Sequence, residues 1–286
     1  MDDTTQSEPP QAQRGGTLYI VPTPIGNLED ITLRALRVMK SVSLIAAEDT
    51  RTSGVLLKHY DIPTPTTSYH EHNKQTKLQA VLDALATGDV ALISDAGTPG
   101  INDPGYELIV AAIEQGYRVE PLPGANAVTT ALVGSGLPTD RFAFAGFLPK
   151  KQQARHDFLQ ALIAETQTVI VYESPNRLID TLGLIHDVLG ERPLCVAREL
   201  TKLHEEFVRG TATEVLAHFE DHPPRGEITL LIGGAVEAEA NWDEDRVREA
   251  LHQELERGAS LSRAASAVAA QSGWNKRDVY ALGVES

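Results

Sequence analysis

The feature that most constrains this chain is a short, unbroken apolar run that ends in a glycine-rich loop. Val90-Ala91-Leu92-Ile93 is followed at once by Ser94-Asp95-Ala96-Gly97-Thr98-Pro99-Gly100. A strand with no polar face belongs in a sheet covered on both sides, which is the usual setting of parallel strands. Parallel strands need crossover helices, and the flanking sequence has the right spacing for them. Leu78, Val81, Leu82 and Leu85 repeat at helical intervals upstream, with Gly88 just past the end. A second helix spans about 105–114, with Gly116 beyond it.

The same alternation fills the N-terminal half. Strands are expected at 17–21, 43–47 and 117–122, and helices near 31–39, 52–59 and 127–133. This predicts parallel strands with right-handed crossovers. Residues 134–140 have turn chemistry and mark a boundary. Beyond it, strands are expected at 142–147, 168–172, 194–197 and 228–232, with helices near 158–163 and ending near Gly190. From about Asn241 onward the pattern is helical only.

A length of 286 residues suits two domains with a small appendage, and 42% hydrophobic residues can fill their cores. The expected division is an unordered polar tail over 1–14, an α/β domain over 15–137, a second α/β domain over 138–236, and a small helical domain over 240–286.

Composition excludes several classes. The single cysteine, Cys195, forms no internal disulfide and reads as a packed strand residue in Leu194-Cys195-Val196-Ala197. The nine histidines have only two close spacings, His70/His72 and His218/His222, so no metal is expected. No transmembrane run or signal segment is visible, and a cytoplasmic location is expected. A net charge of −15 argues against a protein that coats nucleic acid, but leaves room for a locally basic mouth.

Four expected strand ends carry loops rich in Pro, Gly and Asp: 22–30, 48–52, 94–105 and 123–126. Singly, each is ordinary turn and helix-cap punctuation. Together, at the carboxyl ends of strands in one open sheet, they mark a ligand cleft. No G-x-x-x-x-G-K-[ST] and no G-x-G-x-x-G after the first strand is present, so the ligand is not held through a pyrophosphate.

At these loops the chain resembles the tetrapyrrole-methylase superfamily and, within it, the ribosomal RNA small subunit methyltransferase I family. The resemblance rests on Tyr19-Ile20-Val21-Pro22-Thr23-Pro24-Ile25-Gly26-Asn27-Leu28-Glu29-Asp30, Ala47-Glu48-Asp49-Thr50-Arg51, Ser94-Asp95-Ala96-Gly97-Thr98-Pro99 and Pro123-Gly124-Ala125-Asn126. It continues through Tyr172-Glu173-Ser174-Pro175-Asn176-Arg177, Ala197-Arg198-Glu199-Leu200-Thr201-Lys202 and Gly226-Glu227-Ile228-Thr229. It implies two α/β domains with S-adenosylmethionine between them, and a helix-turn-helix-like C-terminal domain. It further implies a homodimer, and 2′-O-methylation of a cytidine in the decoding region of 16S rRNA, with either the 16S rRNA or the small ribosomal subunit as partner. By the same resemblance, Pro24, Asp95, Ala96, Gly97, Thr98, Asn126 and Ala127 line the donor from the first domain, and Tyr172, Ala197 and Thr229 close over it.

A ribose 2′-hydroxyl is a weak nucleophile, so a base or a nearby cation is needed. The candidates are Glu48, Asp49, Arg51, Glu199 and Lys202, with Arg51 and Lys202 on RNA phosphates and an acid taking the proton. Basic residues at Lys150, Lys151, Arg155, Arg177, Lys202, Arg209, Arg263, Lys276 and Arg277 suit an RNA footprint. Lys150, Lys151, Asn176, Arg177, Lys276 and Arg277 are the expected RNA contacts. Trp274 and Tyr280 read first as small-domain core and second as base-stacking rings. The rival readings are a relative acting on a small tetrapyrrole or a protein residue, and a non-catalytic RNA-binding module.

Overall fold

The computed structural model describes residues 15–235, 242–256 and 259–284. The expected unordered tail over 1–14 and the link at 236–241 lie outside the described residues. The first sheet contains β1 (Thr17–Ile20), β2 (Leu44–Ala47), β3 (Thr66–Ser68), β4 (Val90–Ile93) and β5 (Arg118–Pro121). Their spatial order is β3-β2-β4-β1-β5, and every pairing is parallel, as the continuous apolar runs predict. All four residues of β4 are buried. The crossovers are α1 (Leu33–Ser41), α2 (Thr50–His59), α3 (Lys74–Thr87) and α4 (Tyr106–Glu114). They cover the two faces, giving one core around Met39 and Ile45 and another around Leu18, Leu85 and Leu92.

Strands β1 and β4 are neighbours at the centre of this sheet. From β1 the chain moves to β2 on one side, and from β4 it moves to β5 on the other. Where connections part in this way, a crevice opens at the carboxyl ends of the strands. Thr23, just after β1, makes an isolated bridge with Gly97, just after β4, through two hydrogen bonds of 2.9 Å.

Helix α5 (Ala127–Ser135) leads into the second sheet, which holds β6 (Phe142–Phe147), β7 (Thr168–Glu173), β8 (Pro193–Arg198), β9 (Glu206–Thr211) and β10 (Ile228–Ile232). Its order is β6-β7-β10-β8-β9, with only the β6–β7 pair parallel. Helices α6 (Gln152–Ala161), α7 (Pro175–Leu189) and α8 (Ala212–Asp221) cover its outer face around Leu178, Leu182 and Phe219. Pro175 opens α7, where its missing N–H is harmless, and Thr211 with Glu214 forms a capping box on α8. Cys195 is fully buried in β8, and burial pushes its thiol up to about 11, the state of an inert packing residue.

The inner face of this sheet meets α5. Val128, Ala131 and Leu132 pack against Ile170, Cys195, Ala197 and Leu231, joined by Ile25 and Leu200. At the far end of α5, Arg209 of β9 donates to the carbonyls of Ser135 (3.1 Å) and Gly134, where a cation also complements the helix dipole.

Helices α9 (Glu244–Glu256), α10 (Leu261–Ser272) and α11 (Lys276–Val284) form the C-terminal unit around Val247, Leu251, Ala265 and Val279. Trp274 packs against this core, and its indole N–H donates to the carbonyl of Trp242 at 2.7 Å. Tyr280 is 42% exposed. Among the described residues no helix is long and apolar enough to cross a membrane.

One buried charge network holds the second domain together. Glu173, at the end of β7, is 3% exposed. Its carboxylate accepts from the Ser174 amide (2.7 Å), the Thr181 hydroxyl (2.8 Å) and the Arg177 guanidinium (2.9 Å). Arg155, which the sequence reading counted with the basic surface, is instead 7% exposed and donates to Thr181 at 3.1 Å. Glu173→Ala leaves Arg177 and the buried Arg155 chain without their anion, and a loss of about 3–5 kcal/mol is expected in denaturant unfolding. Thr181→Val removes two hydrogen bonds to charged partners but no charge, and its loss should be about 1–3 kcal/mol.

Candidate active site

A cavity of about 450 Å³ lies between the two sheets, within the size range of small-molecule sites. From the first domain it is lined by Ile25, Glu48, Asp95, Ala96, Gly97, Thr98, the 101–103 segment, Asn126 and Ala127. From the second come Phe147, Tyr172, Glu173, Ser174, Pro175, Leu200 and the 226–229 segment. Nine of the residues expected from the sequence therefore share one cavity: Glu48, Asp95, Ala96, Gly97, Thr98, Asn126, Ala127, Tyr172 and Thr229. Pro24 is half-buried between the bridged Thr23 and the cavity-lining Ile25.

The loops of the first domain brace one another. The Glu48 carboxylate accepts the Asp95 amide at 3.2 Å, and the Asp95 carboxylate accepts the Asp49 amide at 3.1 Å. Asn126 caps α5, accepting from the Val128 and Thr129 amides, and donates to the Thr98 hydroxyl at 3.4 Å. That hydroxyl in turn donates to the Ala125 carbonyl at 3.2 Å. The second sheet adds a flat wall. Tyr172, Thr229 and Ala197 stand side by side in register on β7, β10 and β8. Ala197 is fully buried in the cluster beneath α5.

Electrostatically the cavity is acidic. Burial raises the carboxyl of Asp103 to about 6, helped by Glu48 and Asp95. Burial likewise raises Asp95, with the charge of Asp49 adding to it, and Glu48, with the charges of Asp95 and Asp49 adding to it. The Tyr172 hydroxyl is pushed up to about 12 by burial, with Asp103 and Glu227 contributing. None of the three carboxylates has an ion pair among the described residues, because nearby cations are committed elsewhere. Arg51 forks onto Asp49 at 2.6 and 3.1 Å, which holds the Asp49 carboxyl down at about 2. Lys202 bridges Glu199 (2.9 Å) and Glu227 (2.8 Å). Burial alone would pull the Lys202 ammonium down, but the two carboxylates hold it above its ordinary value.

Lys202 also lies at a close contact between the domains. A Cβ on Gly26 would come within 2.5 Å of Lys202 Cγ and 2.8 Å of the Leu200 carbonyl, so only glycine lets the two loops touch. The loop beyond β8 is itself strained, with Glu199 and Thr201 at φ values of 50° and 65°.

The expected RNA contacts divide. Lys150 and Lys151 are exposed just beyond the cavity rim at Phe147, and Lys276 and Arg277 are exposed on α11. Asn176 lies in the first turn of α7. Arg177 is bound to Glu173 and to the Leu148 carbonyl, and Arg209 to the end of α5. Sequence reasoning placed Asp103 in a cleft loop but gave it no role of its own, because its Asn-Asp-Pro-Gly run reads as a plain turn. It passed over the lining role of Ile101, Phe147, Leu200 and Glu227.

The comparisons with known proteins agree with this architecture. The model of the tetrapyrrole (corrin/porphyrin) methylases matches residues 17–216. Ribosomal RNA small subunit methyltransferase I from Synechocystis sp. is 47% identical over 94% of this chain and 98% of its own length. The protein of that name from Halalkalibacterium halodurans is 47% identical over 96% and 97%. Among solved structures, uroporphyrin-III-C-methyltransferase from Thermus thermophilus superposes with a TM-score of 0.53 at 24% identity, over 76% of this chain and 94% of that one. A diphthine synthase does so at 0.59 and 9% identity, over 77% and 90%. These two likenesses speak for the fold alone. The chain belongs to the tetrapyrrole methylase family, among the ribosomal RNA small subunit methyltransferases I.

Proposed function

We propose that this methyltransferase uses S-adenosylmethionine to methylate the 2′-hydroxyl of a cytidine in the decoding region of 16S rRNA. Three partly desolvated carboxylates with no ion pair among the described residues, gathered at the cavity between the sheets, carry the donor part of this reading. An acidic cavity of this size fits a compact cationic ligand. The relatives' names and the basic residues beyond the rim support RNA as the acceptor.

When bound, the donor supplies an electrophilic methyl group on a sulfonium. The chain's own part is to hold and align it. Asp103 and Asp95 take its ammonium and hydroxyl groups. The first amide of α5, that of Ala127, has no helical acceptor and suits a carboxylate. Ile25 and Leu200 give apolar contact and exclude water. Alignment of this kind supplies roughly 7–11 kcal/mol of a barrier in the best cases.

For the acceptor proton, the shortlist narrows to Glu48. Asp49 is held down by Arg51, and Glu199 is held low by Lys202, so both are weak bases. Glu48 lines the cavity with its carboxyl raised, and one oxygen is fixed by the Asp95 amide. The other oxygen takes the ribose proton. Glu48→Gln is expected to slow single-turnover transfer to small ribosomal subunits by about a hundred-fold or more, while binding of S-adenosylhomocysteine changes less than a few-fold. A wild-type rate in Glu48→Gln removes this base, and no label in RNA from the wild type removes the RNA reading.

The raised carboxyl of Asp103 sets a pH dependence. An ammonium stabilises the ionised form, so ligand affinity is full above about pH 6 and lost as pH falls through that value. Between pH 7 and pH 5 the ionised fraction falls about ten-fold. Calorimetry should show S-adenosylhomocysteine binding about ten-fold weaker at pH 5, and Asp103→Asn should flatten that profile.

A further inference from the structure

We propose that Phe147 is a stacking platform for the nucleobase of the methylated nucleotide, a role that deepens the RNA reading above and rests on it. Strand β6 runs along the edge of the second sheet, and side chains in a regular strand alternate between faces. Phe142 and Phe144 would then share one face, and Phe147 would point to the other. The pairing breaks this rule. Phe144 stands opposite Ile170 and Phe147 opposite Tyr172, so three steps on β6 match two on β7. This bulge turns Phe147 back to the side of Phe144. Both rings meet Tyr172 edge to face, with centroids 4.9 and 5.4 Å away.

The device is built into the backbone. Gly146 has a φ of 67°, and a Cβ there would lie 3.0 Å from the Asn102 side-chain oxygen of the first domain. Leu148, next in sequence, is buried and hydrogen-bonded to β7, so the ring is held on a fixed segment. Phe144 joins the buried cluster between the domains, yet Phe147 remains 58% exposed at the cavity wall beside Ile101, itself 42% exposed. A ring this open adds little to folding. Its edge-to-face contact with Tyr172 fixes the ring without covering it. Lys150 and Lys151 follow within four residues, both exposed. A flat aromatic surface with adjacent cations is what an unstacked nucleotide needs: stacking for the base and charge for its phosphates.

The test uses the full chain with Phe147→Ala, Phe147→Leu, Phe147→Tyr and Phe147→Trp. Binding of S-adenosylhomocysteine is measured by calorimetry, and KM and kcat are measured for methyl transfer to unmethylated small ribosomal subunits. The expected result is unchanged homocysteine-ligand affinity in all four. Ala and Leu should raise KM about ten-fold, and Tyr and Trp should restore it to within a few-fold. Leu keeps the apolar volume but not the flat face. A Leu variant equal to wild type reduces Phe147 to apolar filler and overturns the proposal. Loss of S-adenosylhomocysteine affinity as large as the rise in KM assigns the ring to the donor and overturns it too. If wild type binds that ligand but labels no RNA, the RNA reading itself fails and takes this role with it. Normal labelling with an indifferent Phe147→Ala refutes the stacking role alone.

Discussion

The burial of α5 against the second sheet is the contact on which the rest of the molecule depends. By composition α5 is a weak helix, since Ala-Val-Thr-Thr-Ala-Leu-Val-Gly-Ser is rich in residues of modest propensity. What stabilises it is one buried face and two well-made ends. Val128, Ala131, Leu132 and Ser135 recur at i, i+3, i+4 and i+7 and are all buried. Asn126 satisfies the first turn, and Arg209 reaches from β9 to the last carbonyls. The helix leaves the last strand of the first sheet and packs on the second. The sheets therefore cannot separate without exposing it. The cavity opens at its N-terminus, so the contact that joins the domains also sets the distance across the site.

Electrostatics separates structural acids from ligand-facing ones. Glu173 and Asp103 are both carboxylates removed from water, and they are treated differently. Glu173 receives an arginine, a hydroxyl and an amide within 3 Å, which compensates its charge completely. Asp103 faces two further carboxylates and is raised to about 6. Three partly desolvated like charges at one cavity, with no ion pair among the described residues, are unfavourable for the empty fold and suit a cationic partner. This also accommodates a net charge of −15 in a chain that handles an acidic polymer. The cavity itself is lined by carboxylates, and exposed lysines stand outside it at Lys150 and Lys151.

The first sheet was legible because buried parallel strands write themselves as continuous apolar runs. Its edge strand β3 was not, since Thr-Thr-Ser is half-exposed and carries no apolar signal. The same holds for β9, whose Glu, Arg and Gly residues read as loop. Strand direction was invisible in the second sheet. The run Ile228–Ile232 is buried throughout and reads the same in a parallel or an antiparallel ladder. In the site, glycine and proline announced the loops, but Asp103 was hidden inside a turn signature. Phe147 was concealed by a bulge that alternation cannot reveal. Charge counting also failed at Arg155, because a tally of basic residues does not distinguish a solvated guanidinium from one buried on Thr181.

The mixed direction of the second sheet has a consequence for the rim. Because β10 runs against β7 and β8, its beginning lies at the same end as their terminations. The segments after β7, after β8 and before β10 therefore converge on one edge of the cavity. An all-parallel sheet would send the start of β10 to the opposite side. Lys202 stitches two of these segments, binding Glu199 beyond β8 and Glu227 before β10, while Gly26 of the first domain presses on its stem. Its charge is already shared by two carboxylates, leaving little for a phosphate. That side of the rim is fixed by internal charge pairing. The lysines beyond Phe147 remain exposed on the other side of the rim, after the buried Leu148.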